Sequence, residues 1–123
     1  MKRKIKVMLV EDHAGYREVI ARAPKGEDQI ELISQFGTAE IALRSLQDMS
    51  TRKVPDLILL DLNLPGMSGQ EALPYFKQSS PDSEVIILTQ SDKEADILDA
   101  ISLGAKGYLM SDRTSWTPRS DRT

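Results

Sequence analysis

The chain has 123 residues, a net charge of −3 and a sequence pI near 5.2, which fits a single mildly acidic domain. It contains no cysteine and one histidine, so disulfides, a thiolate nucleophile and zinc sites built from several imidazoles are excluded. The acidity also argues against a protein that coats nucleic acid, because such surfaces need clustered positive charge. Chemistry is therefore left to carboxylates, hydroxyls and lysines.

The sequence predicts neither a membrane segment nor a leader. No stretch approaches the roughly 18 consecutive apolar residues that a membrane-spanning helix needs. The basic start at residues 1–4 is followed by an apolar run too short for the core of a signal peptide. We therefore expect a cytoplasmic protein with no membrane partner.

Apolar runs and turn residues alternate along the chain and predict a β-α-β-α-β-α-β-α-β order. The predicted strands are residues 5–10, 30–36, 56–61, 84–89 and 106–110. The predicted helices are residues 16–23, 39–49, 70–78 and 92–103, with Pro74 counting against the third. Strands 56–61 and 84–89 are apolar on both faces, which is typical of central strands in a parallel sheet. We therefore predict an α/β protein with a five-stranded parallel, doubly wound sheet and helices on both faces.

Residues 111–123 depart from this pattern. Six of these thirteen residues are Ser or Thr, Trp116 is the only large apolar one, and Pro118 lies where a closing helix would run. No amphipathic fifth helix is predicted. We therefore divide the chain into a domain of residues 1–110 and an atypical Ser/Thr-rich tail of residues 111–123.

Polar residues follow three of the predicted strands at one edge of the sheet. Glu11 and Asp12 follow the first strand, Asp61 ends the third and Thr89 ends the fourth. Because ligands of open parallel sheets bind beyond the carboxyl ends of the strands, we expect the three carboxylates to meet there. Gathered carboxylates repel each other unless a cation neutralises them. Mg²⁺, which prefers oxygen ligands and retains several waters, is the usual choice.

A series of motifs also runs along residues 4–110 in a fixed order. They are IKVMLVEDH at residues 5–13, DLNLPGMSG at 61–69, VIILT at 85–89 and GAKGYL at 104–109. Together they resemble the receiver domain of bacterial two-component response regulators. The wording DLNLPGMSG is similar to the subfamily whose receiver precedes a helix-turn-helix DNA-binding domain. The resemblance implies a flavodoxin-like, doubly wound (βα)5 fold, of which the fifth helix is the element not predicted here.

The resemblance implies a phosphoryl-transfer site with a metal. Asp61 matches the phosphoacceptor that attacks the phosphohistidine of a sensor histidine kinase. Glu11 and Asp12 match the acidic pair that holds Mg²⁺, with Asp61 itself and the backbone carbonyl of Asn63 as further ligands. A carboxylate nucleophile and a metal suit phosphoryl transfer, which needs positioning and charge neutralisation.

The resemblance also implies a switch, together with one departure from the family. Thr89 matches the hydroxyl that hydrogen-bonds the new phosphoryl oxygen, and Tyr108 matches the aromatic whose ring then swings inward. Taken alone, Tyr108 also fits a core or interface aromatic. The family places a Lys three residues after this aromatic, where this chain has Ser111. Lys106, at the start of the same strand, is not expected to reach the site, so phosphoryl stabilisation and switching should be weaker.

Three functions fit this sequence. The first is a phosphoacceptor receiver, a signalling domain rather than an enzyme, which controls transcription through a DNA-binding output domain that we expect to lie outside this chain. The second, the alternative to the first, is a pseudo-receiver: a phosphorylation-independent interaction module in which Ser111, at the position of the family's Lys, disables switching. The third, a phosphatase with an aspartate nucleophile, usually has a second acid where this chain has Asn63. Without a fifth helix, apolar surface near Val19 and Ile20 would be uncovered, which predicts a homodimer.

Overall fold

A computed structural model of the chain describes residues 4–13, 30–47, 54–89 and 94–110. The predicted helix at residues 16–23 and the predicted tail at 111–123 lie outside the described residues. Ser111, and the apolar surface predicted around Val19 and Ile20, therefore stay as sequence-based expectations. None of the helices in the described ranges has the length and apolar character needed to cross a bilayer.

The described residues form strands and helices close to the predicted ones. The strands are β1 (Ile5–Val10), β2 (Ile30–Phe36), β3 (Leu57–Asp61), β4 (Glu84–Thr89) and β5 (Gly107–Met110). The helices are α1 (Ala39–Gln47), α2 (Gly69–Ser79) and α3 (Glu94–Ser102). The predicted elements in these ranges are thus confirmed, with ends that coincide or differ by one residue where both are described.

The strands form one parallel sheet with the order β2-β1-β3-β4-β5. The chain passes from β1 outward to β2, then crosses back over β1 to β3 and continues in the other direction. This reversal places a topological switch point between β1 and β3, as in flavodoxin-like doubly wound folds. The predicted fold class is confirmed.

The core lies around the three interior strands, β1, β3 and β4. Ile58 and Leu60 of β3 and Val85 and Ile87 of β4 are completely buried, as their apolar runs predict. Phe76 of α2 is the largest fully buried side chain among the described residues. Burying one such side chain contributes about 1.5–3 kcal/mol, so this packing stabilises β3, β4 and the helix that covers them.

Helix α2 continues through Pro74, the residue that counts against the helix predicted here. Its start is a capping box: the Glu71 N–H donates to Ser68 Oγ at 3.1 Å, and the Ser68 N–H donates to Glu71 Oε1 at 3.0 Å. Pro74 is exposed and lacks the N–H that would donate to the carbonyl four residues earlier. The helix persists because Leu73 and Phe76 are fully buried and the cap satisfies the first turn.

A buried hydroxyl network joins α2 to the start of β3, at the amino ends of the strands. Ser83 Oγ donates to the Pro55 carbonyl at 2.6 Å and therefore accepts from Ser80 Oγ, also at 2.6 Å. Lys77 Nζ donates to the Ser83 carbonyl at 3.2 Å. The sequence indicates only a turn at residues 79–83, whereas the structure buries both serines.

Candidate functional site

Three carboxylates meet where β1 and β3 end. One ligand oxygen from each of Glu11, Asp12 and Asp61 lies within 4.8 Å of the others. The two strands are hydrogen-bonded neighbours, with Val10 opposite Leu60, so the residues that follow them come together. The cluster thus lies at the switch point, where sheets of this topology bind ligands.

Two of the three acids are buried: Glu11, which directly follows β1, and Asp61, which ends β3. Asp12 is exposed. Glu11 is 1% exposed and Asp61 is 2% exposed. Removing a carboxylate from water is costly unless hydrogen bonds or a cation stabilise it. Glu11 Oε2 accepts the His13 N–H at 3.1 Å, and Asp61 Oδ1 accepts the Asn63 N–H at 3.1 Å. Each buried carboxylate is therefore oriented by the backbone amide two residues further along the chain.

Backbone hydrogen bonds extend the sheet into the site. The Glu11 N–H donates to the Phe36 carbonyl at 2.9 Å, one residue beyond the end of β1. On the other side, the Leu62 N–H donates to the Leu88 carbonyl at 3.2 Å. The backbones of Glu11 and Leu62 thus continue the hydrogen bonding of the sheet, which fixes the positions from which the side chains of Glu11 and Asp61 extend.

The chain between β3 and α2 closes tightly on Asp61. We call residues 62–68 the β3–α2 loop. The Gly69 N–H donates to the Leu62 carbonyl at 3.0 Å across the base of this loop. A Cβ on Gly69 would lie only 2.1 Å from the Asp61 carbonyl oxygen, so the first residue of α2 packs directly on the Asp61 backbone. Leu62 and Leu64 are buried and Asn63 is exposed, which leaves Asn63 beside the carboxylates.

Helix α1 also contacts the β3–α2 loop, through a residue that the sequence does not single out. The Met67 N–H donates to Glu40 Oε2 at 2.9 Å, across a separation of 27 residues. Glu40 is an exposed residue in the first turn of α1. Nothing in its local pattern distinguishes it from a solvated helix face.

The backbone of Thr89 lies at the same edge of the sheet as the carboxylates. Thr89 ends β4 and follows Leu88, which pairs with Asp61. Thr89 is therefore one residue further along β4 than the position opposite Asp61, the predicted phosphoacceptor on β3. Its role in the switch stays a prediction.

Tyr108 lies on β5 opposite Ile87, and its side chain is 45% exposed. Lys106 precedes β5, and its N–H donates to the Val85 carbonyl at 2.7 Å. Val85 is near the start of β4, so Lys106 is at the opposite end of the sheet from Thr89. This position agrees with the expectation that Lys106 does not reach the site.

The chain belongs to the response regulator receiver domain family, whose model matches residues 7–112. The transcriptional regulatory protein YdfI of Bacillus subtilis is 37% identical over 112 residues, which cover 91% of this chain and 50% of YdfI. The nitrate/nitrite response regulator NarL of Escherichia coli K12 is 32% identical over 110 residues, covering 86% of this chain and 47% of NarL. The chain thus spans about half the length of the curated relatives it matches.

Solved structures show the same likeness. The signal receiver domain of the putative response regulator NarL from Mycobacterium tuberculosis matches with a TM-score of 0.78 and 26% identity, covering 91% of this chain and 89% of that one. The Mn(2+)-bound form of response regulator Rcp1 matches with a TM-score of 0.76 and 32% identity, covering 89% and 82%.

These comparisons confirm the resemblance read from the motifs. The chain is a signalling domain of the response regulator class, and its relatives include proteins named as transcriptional regulators. The family match ends at residue 112, so it includes the Ser111 position. The division of the chain at residue 110 and the roles of individual site residues stay predictions.

Proposed function

We propose that the chain accepts a phosphoryl group on Asp61 from the phosphohistidine of a sensor histidine kinase. The phosphorylated domain then changes an interaction surface and controls transcription through a DNA-binding output domain. The observation that carries the proposal is the meeting of Glu11, Asp12 and Asp61 within 4.8 Å at the switch point of the sheet. Phosphoryl transfer is served well by such a site because it depends mainly on positioning and charge neutralisation.

Asp61 supplies the nucleophile. In its ionised form, one carboxylate oxygen attacks phosphorus, and an acyl phosphate forms. The bond between phosphorus and the imidazole nitrogen breaks, and its electron pair stays on the imidazole. The hydrogen bond from the Asn63 N–H to Asp61 Oδ1 orients the carboxylate before the phosphodonor arrives.

The residues present fit a divalent cation. Three carboxylates that offer oxygens within 4.8 Å of each other form the hard donor set that Mg²⁺ prefers. Glu11, Asp12, Asp61 and the backbone carbonyl of Asn63 would hold the ion. When bound, the ion offsets the negative charge of the carboxylates and of the transferring phosphoryl group. Rcp1, which is 32% identical to this chain, has a structure of its Mn(2+)-bound form, which supports a divalent ion here.

Thr89 and Tyr108 would convert the new charge into a change of surface. We assign Thr89 as the hydroxyl that hydrogen-bonds the phosphoryl oxygen and Tyr108 as the aromatic that follows it inward. Tyr108 is 45% exposed, so its ring lies at the surface, from which an inward movement would start. With Ser111 at the position of the family's Lys, we expect weaker stabilisation of the phosphoryl group and a weaker switch.

Acetyl phosphate tests the proposal. With Mg²⁺ present, intact-mass spectrometry should show a gain of about 80 Da, one phosphoryl group, on the wild-type chain. Asp61→Ala should abolish the gain. Asp82→Ala is the matched control, since Asp82 is an exposed acid in the turn before β4, and it should keep the gain.

Other outcomes would contradict the proposal in different ways. A folded, Mg²⁺-binding chain that gains no mass would favour the phosphorylation-independent interaction module. Multiple turnover of a phosphate ester would indicate a phosphatase. A gain that survives Asp61→Ala would move the phosphoacceptor to another residue. The buried Asp61 and the close acidic cluster favour the first function among these.

A further inference from the structure

The β3–α2 loop is held from outside by Glu40 of α1. The Met67 N–H donates to Glu40 Oε2 at 2.9 Å, which is a good hydrogen-bond length. The contact joins the first turn of one helix to the loop that leads into the next. The loop's other described hydrogen bonds near its end, the capping box of Ser68 and Glu71, are local to α2. Among the described hydrogen bonds, the one to Glu40 therefore ties this part of the loop to a different element, beside the packing of the Met67 side chain on the core.

Gly66 makes room for this contact. Its φ is +72°, a left-handed conformation that side chains rarely adopt. A Cβ at Gly66 would also lie 2.8 Å from Glu40 Oε2, which is closer than real Cβ contacts allow. The glycine before Met67 therefore serves both the turn of the loop and the approach of the carboxylate.

The segment that leads into α1 is itself tied to the acidic site. The Phe36 carbonyl accepts the Glu11 N–H at 2.9 Å, and Thr38 Oγ1 caps the helix by accepting the Ile41 N–H at 3.2 Å. Glu40 thus lies four residues beyond a direct backbone partner of Glu11. Its bond to Met67 connects the side of the site that carries Glu11 to the loop that follows Asp61.

We propose that Glu40 is a positioning residue of the phosphoacceptor site. By holding Met67, it keeps the β3–α2 loop closed against α1 and so keeps Asn63 beside Asp61. Without the contact, the loop samples positions in which the Asn63 backbone no longer faces the carboxylate, and both metal affinity and phosphorylation fall. The inference rests on the proposed function of Asp61.

Three variants test the inference. Glu40→Ala removes the acceptor, and Glu40→Gln keeps a side-chain oxygen that can accept the Met67 N–H. Asp99→Ala is the matched control, because Asp99 is an exposed acid on a different helix, α3. Since Ala favours helices, Glu40→Ala should leave α1 folded, and urea unfolding checks this.

The first measurement is hydrogen exchange at the Met67 amide by NMR, without metal. It should be about fivefold faster in Glu40→Ala, as expected for the loss of one hydrogen bond, and near wild type in the other two variants. The second is the Mg²⁺ affinity by calorimetry, which should weaken about fivefold in Glu40→Ala alone. The rate of acetyl phosphate labelling should fall in parallel.

The outcomes separate a positioning role from a structural one. Faster exchange at Met67 with unchanged Mg²⁺ affinity and labelling would overturn the inference, since the contact would then be only local. A Glu40→Gln variant as impaired as Glu40→Ala would overturn it too, because charge rather than the hydrogen bond would be responsible. If the wild-type chain neither binds Mg²⁺ nor accepts phosphate, the proposed function has failed, and the inference fails with it. That failure is visible without any variant.

Discussion

Gly69 is the position where one methyl group should do the most damage to the site. In Gly69→Ala, the new Cβ would lie 2.1 Å from the Asp61 carbonyl oxygen and 2.8 Å from Leu62 Cα. Both are backbone atoms, so neither can rotate away as the end of a flexible side chain does. Since Cβ contacts below 3.0 Å essentially never occur, the start of α2 or the end of β3 must move by about 0.9 Å.

The expected cost combines three effects. Helix propensity alone would make Gly69→Ala stabilising by about 1 kcal/mol. Overpacking against backbone costs about 3 kcal/mol, and displacement weakens the Gly69 N–H bond to the Leu62 carbonyl, worth about 1 kcal/mol. We therefore expect a net loss of about 3 kcal/mol in the free energy of unfolding. A shift of the nucleophile by nearly 1 Å should also slow acetyl phosphate labelling of Asp61 by about a hundredfold.

Urea unfolding followed by circular dichroism measures the first effect, and intact-mass spectrometry measures the second. Gly107→Ala is the matched control, because a Cβ there would lie 3.6 Å from Ile86 Cδ1, an ordinary contact. It should be neutral or stabilising by up to about 1 kcal/mol. A Gly69→Ala variant with wild-type stability and labelling would refute the claim that the approach of α2 positions Asp61.

Three further predictions concern the metal, the helix cap and the hydroxyl network. Mg²⁺ at about 100 times its Kd should stabilise the wild-type chain against unfolding by about 2.7 kcal/mol, which thermal melts with and without the ion measure. The ion should stabilise Glu11→Gln much less, and it should stabilise the control variant Asp82→Asn in full. Ser68→Ala removes the acceptor of the capping box and should cost about 1 kcal/mol in urea unfolding, so an unchanged midpoint would contradict the cap's role. Ser83→Ala leaves the Pro55 carbonyl without its buried donor and should cost about 1–3 kcal/mol at an unchanged m-value.

The strands in the described ranges were predictable because burial leaves a local trace in the sequence. Four consecutive apolar residues of β1, residues 7–10, are buried, so both faces of that strand are covered. In β3 and β4, Ile58, Leu60, Val85 and Ile87 are completely buried on one face, and the apolar residues between them are half-buried or buried. The acids at the strand ends were predictable for a related reason. A buried apolar run that stops abruptly at Asp61 marks the carboxyl end of a strand, and a parallel sheet places the carboxyl ends of its strands together.

Pro74 shows where local preference misleads. The residue counts against a helix, yet α2 runs from Gly69 to Ser79 because packing outweighs the lost hydrogen bond. The fully buried Phe76 and Leu73 flank Pro74 on the core side. Their burial is a property of the assembled sheet, so no propensity scale contains it.

By itself, the sequence determined the type and order of the described elements and the presence of Glu11, Asp12 and Asp61 at the ends of strands. Hydrophobic periodicity and turn residues encode these features, because the features depend on neighbours along the chain. Only the tertiary structure decided the strand order, the 2.1 Å approach of Gly69 to Asp61 and the bond between Glu40 and Met67. Each of these depends on how separate elements pack, and a glutamate on an exposed helical turn carries no local sign of a partner 27 residues away.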